Sequence, residues 1–451
     1  LPTTNNSEKD MWHHVIWSVF LTTGTIDGYR LLAAETDTIK ISLSEVWEKA
    51  EEHSREIRIK EMEVKISEEE VKDVKMERLP EIGLKGTYER ASNIPIYDNG
   101  LFNRPSYHEV IRNLYKVSAD LYLNIYNGNK LNLQIKQEKI LHEIAVIRKD
   151  ETVSEIRYQA AALYLELQKL AIFNELIKED IIEKDKQLQE IKSFKKHGTA
   201  LENDVLKAEL DFSKRKLLQI QIANDIQIVT QKLNIIIGLL DNTVLIPEIF
   251  TLSQENESDT YEKFLAEAFD HSYSYNISGQ QVLLSELNLK QVKANVRPKL
   301  GLTGDFYYMN PQIFLFPYNP YWYSLGLVGL KASLPISEFY HNIHKKRAAQ
   351  LEIEKEHEAH KNEEDHIRQK INEAYLKYKE LLIAVEVSAV NLKRAEENAR
   401  IMKSNYFNQT VLITDLLDAD VQVLQAKFEL KTMMIEAQSK YYLLLNITGK
   451  L

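Results

Sequence analysis

Cysteine is absent from the 451 residues. That removes disulfides, thiolate metal centres, cysteine nucleophiles and a lipid on an N-terminal cysteine in one step. It leaves the redox compartment undecided. Long apolar runs are missing as well, which excludes a transmembrane helix but not a transmembrane β-barrel, whose strands are short and alternate. There is no basic excess either. Lys and Arg number 57 against 67 Asp and Glu, a formal charge of −10, and no basic stripe interleaves with aromatics, so no nucleic acid is expected as a partner. No glycine-rich phosphate loop and no nucleophile elbow occurs. Abundant Asp and Glu on amphipathic helices are not by themselves acid–base machinery, so no catalytic site, no enzyme activity and no cofactor are expected.

Glycine and proline are scarce, at 14 and 10, and the places they avoid are informative. Neither occurs between Pro335 and Gly449, and apolar residues there (Ile367, Ile371, Ala374, Tyr378, Leu381, Val385, Ala389, Leu392) step by four and three in one coiled-coil seam. A single break at Asn408-Gln409-Thr410 leaves a helix of about 70 residues, roughly 105 Å long. The stretch Ser42–Leu79 also lacks both residues and predicts a solvated helix with a narrow seam at Val46, Ile57, Val64, Val71 and Val74. Further helices are expected from Gly128 to Gly198, with Ile156, Ala160, Leu163, Leu167 and Leu170 as seam, from Thr199 to Ile237, and from Tyr261 to Val296 with Gly279 as its weak point. The segment Val15–Leu32 followed by Ala33-Ala34 reads either as an export signal interrupted by Asp27 and Arg30 or as a disordered leader.

Between the helices the period changes to two. Ile82, Leu84, Gly86 and Tyr88 alternate with Gly83, Lys85, Thr87 and Glu89; after a turn-rich loop, Tyr115, Val117, Ala119, Leu121 and Leu123 alternate with Lys116, Ser118, Asp120, Tyr122 and Asn124. The pattern then recurs. Pro80-Glu-Ile-Gly83-Leu84-Lys-Gly86 reads again as Pro298-Lys-Leu-Gly301-Leu302-Thr-Gly304, offset by 218. At an offset of 211, Ile156-Arg157 recurs as Ile367-Arg368, Tyr164 as Tyr375, Asp204 as Asp415 and Gly238 as Gly449. Two constant offsets predict tandem copies of helix, β-hairpin, long helix and helix, in a chain that is mainly α with a small β part. The expected division is a leader over 1–41, a first repeat over 42–240 with strands near 81–90 and 114–126, a linker over 241–260, and a second repeat over 261–451 with strands near 299–308 and 322–336.

Four strands cannot close a membrane barrel alone, so the strands need other copies. In the second hairpin, Leu300, Leu302, Gly304, Phe306 and Tyr308, with Val328, Leu330, Ala332, Leu334 and Ile336, fall on one face. Thr303, Asp305, Lys331 and Ser333 fall on the other, which suits a wet lumen together with Lys116 and Asp120. The aromatic group Tyr307, Tyr308, Phe314, Phe316, Tyr318, Tyr321, Trp322 and Tyr323 is expected as an outer-rim girdle. A soluble sheet packed on helices explains the alternation equally well and the rim aromatics less well. His341-x-x-His344 and His357-x-x-His360 could each offer two imidazoles on a helix face; on so charged a helix, with no third ligand fixed by spacing, they are read as solvated and no metal is expected.

These residues together resemble the TolC-type outer-membrane efflux protein family from about Ser42 to Leu451, most specifically at two helix–helix turns. Gly198-Thr-Ala-Leu-Glu-Asn-Asp204-Val and Gln409-Thr-Val-Leu-Ile-Thr-Asp415-Leu-Leu-Asp418-Ala look like that family's periplasmic tip. The resemblance implies a homotrimer, with a 12-stranded barrel in outer-membrane lipid continued by a 12-helix α-barrel across the periplasm of a Gram-negative bacterium. It implies a passive conduit fed by an inner-membrane pump or secretion transporter through a periplasmic adaptor protein. It assigns Asp415 and Asp418 to a cation-binding ring at the gate and Tyr406 and Asp204 to its closing link. Gly198, Thr199, Thr410, Val411 and Leu412 become adaptor-docking tips. Val411 stands where the family usually has Arg, and Gln409 where the first turn has Gly198. On the residues alone, Asp at a helix N-terminus is also a favourable dipole partner. The rival reading is a soluble coiled-coil scaffold without transport activity.

Overall fold

The computed structural model describes residues 38–248, 259–312 and 319–451. The candidate export segment, the polar run Ser253–Ser258, and Phe314, Phe316 and Tyr318 lie outside the described residues. The chain is mainly helical with a small sheet part. Its order is β1 (Thr38–Ile41), α1 (Leu43–His53), α2 (Arg55–Met76), β2 (Glu81–Arg90), β3 (Ile94–Ile96), β4 (Ser106–His108), β5 (Asn113–Tyr126), α3 (Lys130–Lys196) and α4 (Glu202–Ile237). There follow β6 (Val244–Pro247), α5 (Tyr261–His271), α6 (Tyr273–Ala294), β7 (Lys299–Asn310), β8 (Tyr323–Ser333), α7 (Glu338–Phe407) and α8 (Ile413–Ile447). Helices α3 and α7 run 67 and 70 residues. Among the described residues no helix is long and apolar enough to cross a membrane.

Two stretches expected as single helices are each broken, at Ser54 and at Ser272. Both serines take extended ψ, near 122° and 127°, and Ser54 Oγ accepts the Ile57 N–H at 3.3 Å, opening α2 as its N-cap. Gly279, the expected weak point, stays helical inside α6. One glycine costs a helix only about 1 kcal/mol, and its neighbour Ser278 holds α6 to α7 through Ser278 Oγ···His360 Nδ1 at 2.7 Å. The ends of the expected leader and linker also differ from that reading, since β1 and β6 pair in parallel. Tyr164 joins them: its hydroxyl donates to Ile41 O at 3.0 Å and accepts from Glu248 N–H at 3.1 Å.

The core lies along helix seams. One cluster joins Val46, Ile57, Ile156, Ala160, Leu167, Leu233 and Ile237 around the β1–β6 pair. A second joins Phe264 and Ala268 of α5 to Ile367, Ile371, Ala374 and Tyr378 of α7 and Leu444 of α8. Neither cluster includes the four-stranded sheet. Strands β2, β5, β7 and β8 form an antiparallel meander in that order, with β2 and β8 each leaving one edge without a strand partner among the described residues.

Candidate functional site

The strand register sorts the sheet into two faces. Ile82, Leu84, Val117, Leu121, Leu302, Val328 and Leu330 share one, and Ile82, Leu84 and Val328 are 73, 78 and 84% exposed. That is the reverse of what an apolar residue does in water, and the face stands ready for lipid or protein. On it Tyr308 stacks on Trp322 at 4.8 Å, and Tyr115 approaches both Trp322 (6.0 Å) and Tyr88 (5.1 Å). Tyr307 is a correction to the expected girdle. Being odd-numbered with Asp305, it lies on the opposite face, with Lys116 Nζ 4.6 Å from its ring centre.

Lys116, Asp120, Asp305 and Lys331 share that opposite face, with Lys331 set toward the other end of the strands from Lys116. Asp120 stands directly across from Asp305, and Lys85 Nζ lies 2.9 Å from Asp120 Oδ1. The face is not wholly polar, since Leu325 and Leu327 pair across from Tyr307 and Asp305. Both glycines of the recurring Pro-x-aliphatic-Gly face a side chain of β5. A Cβ on Gly83 would stand 2.7 Å from the Asp120 carboxylate, and one on Gly301 would stand 2.5 Å from the Tyr122 ring.

At the far end of the long helices the two turns are built alike. Thr199 N–H and Oγ1 both donate to Phe194 O at 3.0 Å, and Thr410 N–H and Oγ1 donate to Asn405 O at 3.0 and 2.9 Å. Asp204 Oδ2 accepts the Leu201 N–H at 3.2 Å, and Asp415 Oδ2 accepts the Leu412 N–H at 3.1 Å. Each carboxylate therefore satisfies an orphan donor at a helix N-terminus, where the dipole also favours it. Asp418, one turn on and exposed, has no hydrogen-bond or ion-pair partner among the described residues. Gly198, Thr199, Thr410 and Leu412 are exposed and Val411 is half-buried. Gly198 and Gln409 both take positive φ, +76° and +61°.

Tyr406 packs on the apolar tip cluster of Leu188, Ile191, Val205, Ala208, Ile413 and Leu416. Its phenol is pushed up to about 12 by burial and by the neighbouring Asp204 carboxylate. Tyr406 and Asp204 thus line one small pocket with Phe194 and Phe407, but the hydrogen bond of Asp204 goes to its own helix turn.

A buried ionic cluster went unnoticed in the sequence. Lys184 and Gln187 of α3 are 5 and 4% exposed, and Lys184 pairs with Asp420 of α8. Arg215 of α4 lies 3.5 Å from Asp180 and 3.6 Å from Asp211. Burial pushes the Asp180 carboxyl up against the opposing pull of Arg215 and Lys184. The signal was there to find: Ile177, Ile181, Lys184, Leu188 and Ile191 step by four and three, putting a charge in a seam. Of the histidines, His360 is committed to Ser278 and stands 4.5 Å from the Tyr275 ring.

No family model matches the sequence, and no curated protein matches it. Solved structures do match. The outer-membrane channel OprN aligns over 91% of this chain and 90% of its own, at 13% identity and a TM-score of 0.74. The outer-membrane protein VceC of Vibrio cholerae aligns over 90% and 96%, at 14% identity and 0.74. The MtrE outer-membrane channel of Neisseria gonorrhoeae, solved in its open state, aligns over 90% and 88%, at 14% identity and 0.69. The chain has the fold of these outer-membrane channels, the fold that the two tip motifs led us to expect.

Proposed function

We propose that this protein is the outer-membrane exit duct of a tripartite efflux or secretion system, a passive conduit and not an enzyme. The observation that carries the reading is the four-stranded sheet with one exposed apolar face and two open edges. Strands of 10, 14, 12 and 11 residues suit a membrane barrel, which needs about 9–11 residues per tilted strand. In a homotrimer, β8 of one protomer pairs with β2 of the next, and twelve strands close with no edge left. The stacked Tyr308–Trp322 pair then sits at the lipid interface, and Lys116, Asp120, Asp305 and Lys331 face the lumen.

The helices follow the same logic. Two tandem repeats supply α3, α4, α7 and α8, and three copies make a twelve-helix tunnel across the periplasm of a Gram-negative bacterium. Exposed stripes on α4 (Leu206, Leu210, Leu217) and on α7 (Leu376, Ile383, Val387, Val390) then meet neighbouring protomers. A periplasmic adaptor docks at the tips around Gly198, Thr199, Thr410, Val411 and Leu412, and an inner-membrane pump or secretion transporter feeds the duct. Asp415 and Asp418 share one helix face, and threefold symmetry gathers six carboxylates into a cation-favouring ring. Tyr406 and Asp204 belong to the link that closes it.

The test is single-channel recording in a planar bilayer, with and without divalent cations, for wild type and for Asp415→Ala/Asp418→Ala. Cation-selective steps blocked by divalents only in wild type are expected. Steps that ignore the substitutions would discard the ring and keep the duct. Protein that stays soluble without detergent would overturn the duct in favour of a scaffold.

A further inference from the structure

The contact between α3 and α8 is an antiparallel apolar seam interrupted once by charge. On one side of the interruption Phe173 stacks on Phe428 at 4.2 Å and Ile177 clusters with Leu424. On the other, Leu188 and Ile191 cluster with Ile413 and Leu416. Between them Lys184 meets Asp420, and Gln187 closes the triangle. Lys184 Nζ donates to Gln187 Oε1 at 3.1 Å, and Gln187 Nε2 donates to Asp420 Oδ2 at 3.1 Å. All three contacts lie in the interior of the seam, with Lys184 and Gln187 almost wholly buried.

Apolar contact is non-directional and holds in more than one register. A buried polar set is directional and holds in one; a polar residue at a single seam position specifies register at a cost in stability. If α8 slipped one turn along α3, Lys184 would remain buried without its carboxylate, which is strongly unfavourable. The second arm of the cluster is slack by comparison. Arg215 stands too far from Asp180 and Asp211 for good hydrogen bonds, and Asp180 Oδ2, Asp211 Oδ2 and Arg215 Nη2 have no such partner. The tight connection is therefore from α3 to α8, the helix that carries the tip carboxylates.

We infer that Lys184 and Gln187 are positioning residues that pin α8 in register against α3 and so fix where Asp415 and Asp418 stand. The functional consequence rests on the duct reading above. Asp420 lies two and five residues beyond those carboxylates, within roughly 8 Å along the axis, so a slip at the pin is transmitted to them undiminished.

The test exploits the absence of cysteine. Spin labels at Glu190→Cys on α3 and Gln422→Cys on α8, both exposed positions, report the register in full-length, detergent-solubilised protein diluted with unlabelled chain. Asp420→Asn strands the lysine. Lys184→Met/Asp420→Leu instead keeps the seam filled and apolar, so it is expected to fold, but it has no pin. Wild type should give one narrow distance, and both variants a second population shifted by about 5 Å, one helical turn. In bilayers the double variant should also lose divalent block. If the double variant keeps both the wild-type distance and the wild-type block, the pin is refuted while the duct stands. If wild type stays soluble without detergent yet the distances still shift, the pin stands and the duct reading falls.

Discussion

Gly449→Ala and Gly198→Ala form a matched pair that tests how α5 is seated. Both glycines hold positive φ, +71° and +76°, just past the C-terminus of a helix, Gly449 after α8 and Gly198 after α3. An L residue in that region costs about 1–2 kcal/mol at either site. At Gly198 nothing lies within 4 Å of an added Cβ. At Gly449 the Cβ would stand 2.5 Å from the carbonyl oxygen of His271 and 3.0 Å from its carbon. That obstacle is backbone at the end of α5, so no side chain can swing aside; relief requires shifting the helix end, a further cost of about 1–3 kcal/mol by the usual measure of overpacking. Gly198→Ala should therefore destabilise by about 1–2 kcal/mol and Gly449→Ala by about 2–5 kcal/mol. Denaturant unfolding in detergent, followed by helical circular dichroism, reads the difference. Equal losses would show that the end of α8 does not press on His271, and that α5 is not seated against it.

Three further outcomes are expected. Gln409→Gly relieves a non-glycine residue at φ +61° and should raise the unfolding free energy by about 0.5–1 kcal/mol after the larger unfolded-state entropy of glycine is subtracted, read as a higher denaturant midpoint; a lower midpoint refutes the strain. Tyr406, with its folded pKa raised from 10.0 to about 12, binds its proton more tightly when folded. Its contribution to stability is full below about 10 and is lost as pH rises through about 12. The phenolate absorbance difference between wild type and Tyr406→Phe should have its midpoint near 12 and fall in Asp204→Asn; a midpoint near 10 refutes it. Val328→Lys should block refolding into lipid vesicles, at a cost of about 2–4 kcal/mol for a lysine facing mid-bilayer, while Leu327→Lys, one residue away on the opposite face, should insert; equal insertion would overturn the assignment of faces.

Much of the architecture was legible because it rests on short-range rules. The alternation around Ile82 and Val117 marks strands, and the long runs without glycine or proline mark α3 and α7. What escaped reading depended on contacts across the chain. Ser54 and Ser272 break helices where no glycine or proline warns of it; Ser54 caps the helix that follows through its side chain, and Ser272 turns the backbone without such a bond. Tyr307 was grouped with aromatic neighbours by composition, although its parity already placed it beside Asp305. Lys184 and Asp420 sit among dozens of solvated charges, and only their phase within the seam sets them apart. Composition could not show that phase; step counting along α3 could.

The exposed apolar surface divides into two kinds, and the division bears on assembly. On α4 and α7 the exposed residues form narrow stripes, Leu206–Leu210–Leu217 and Ile383–Val387–Val390, flanked by charge, as a helix does when another helix will cover it. On the sheet the exposed residues occupy a whole face, from Ile82 and Leu84 on β2 to Val328 and Leu330 on β8, with Arg90 at the end of β2 as the one charge among its strand residues. A partner helix cannot cover a face four strands wide, and a second sheet would have to come from a copy whose own faces are disposed in the same way. Lipid covers such a face without needing a complementary surface. On the proposed duct reading the stripes meet protein and the sheet meets membrane, so a chain bearing both along helices of 67 and 70 residues is expected to couple assembly to insertion. Stripe substitutions such as Ile383→Lys should then release protomers that have lost their barrel, whereas face substitutions such as Val328→Lys should leave helical contacts intact in protein that fails to enter lipid. Crosslinking in detergent before and after vesicle refolding separates the two, and a stripe variant that inserts normally as a monomer would break the link.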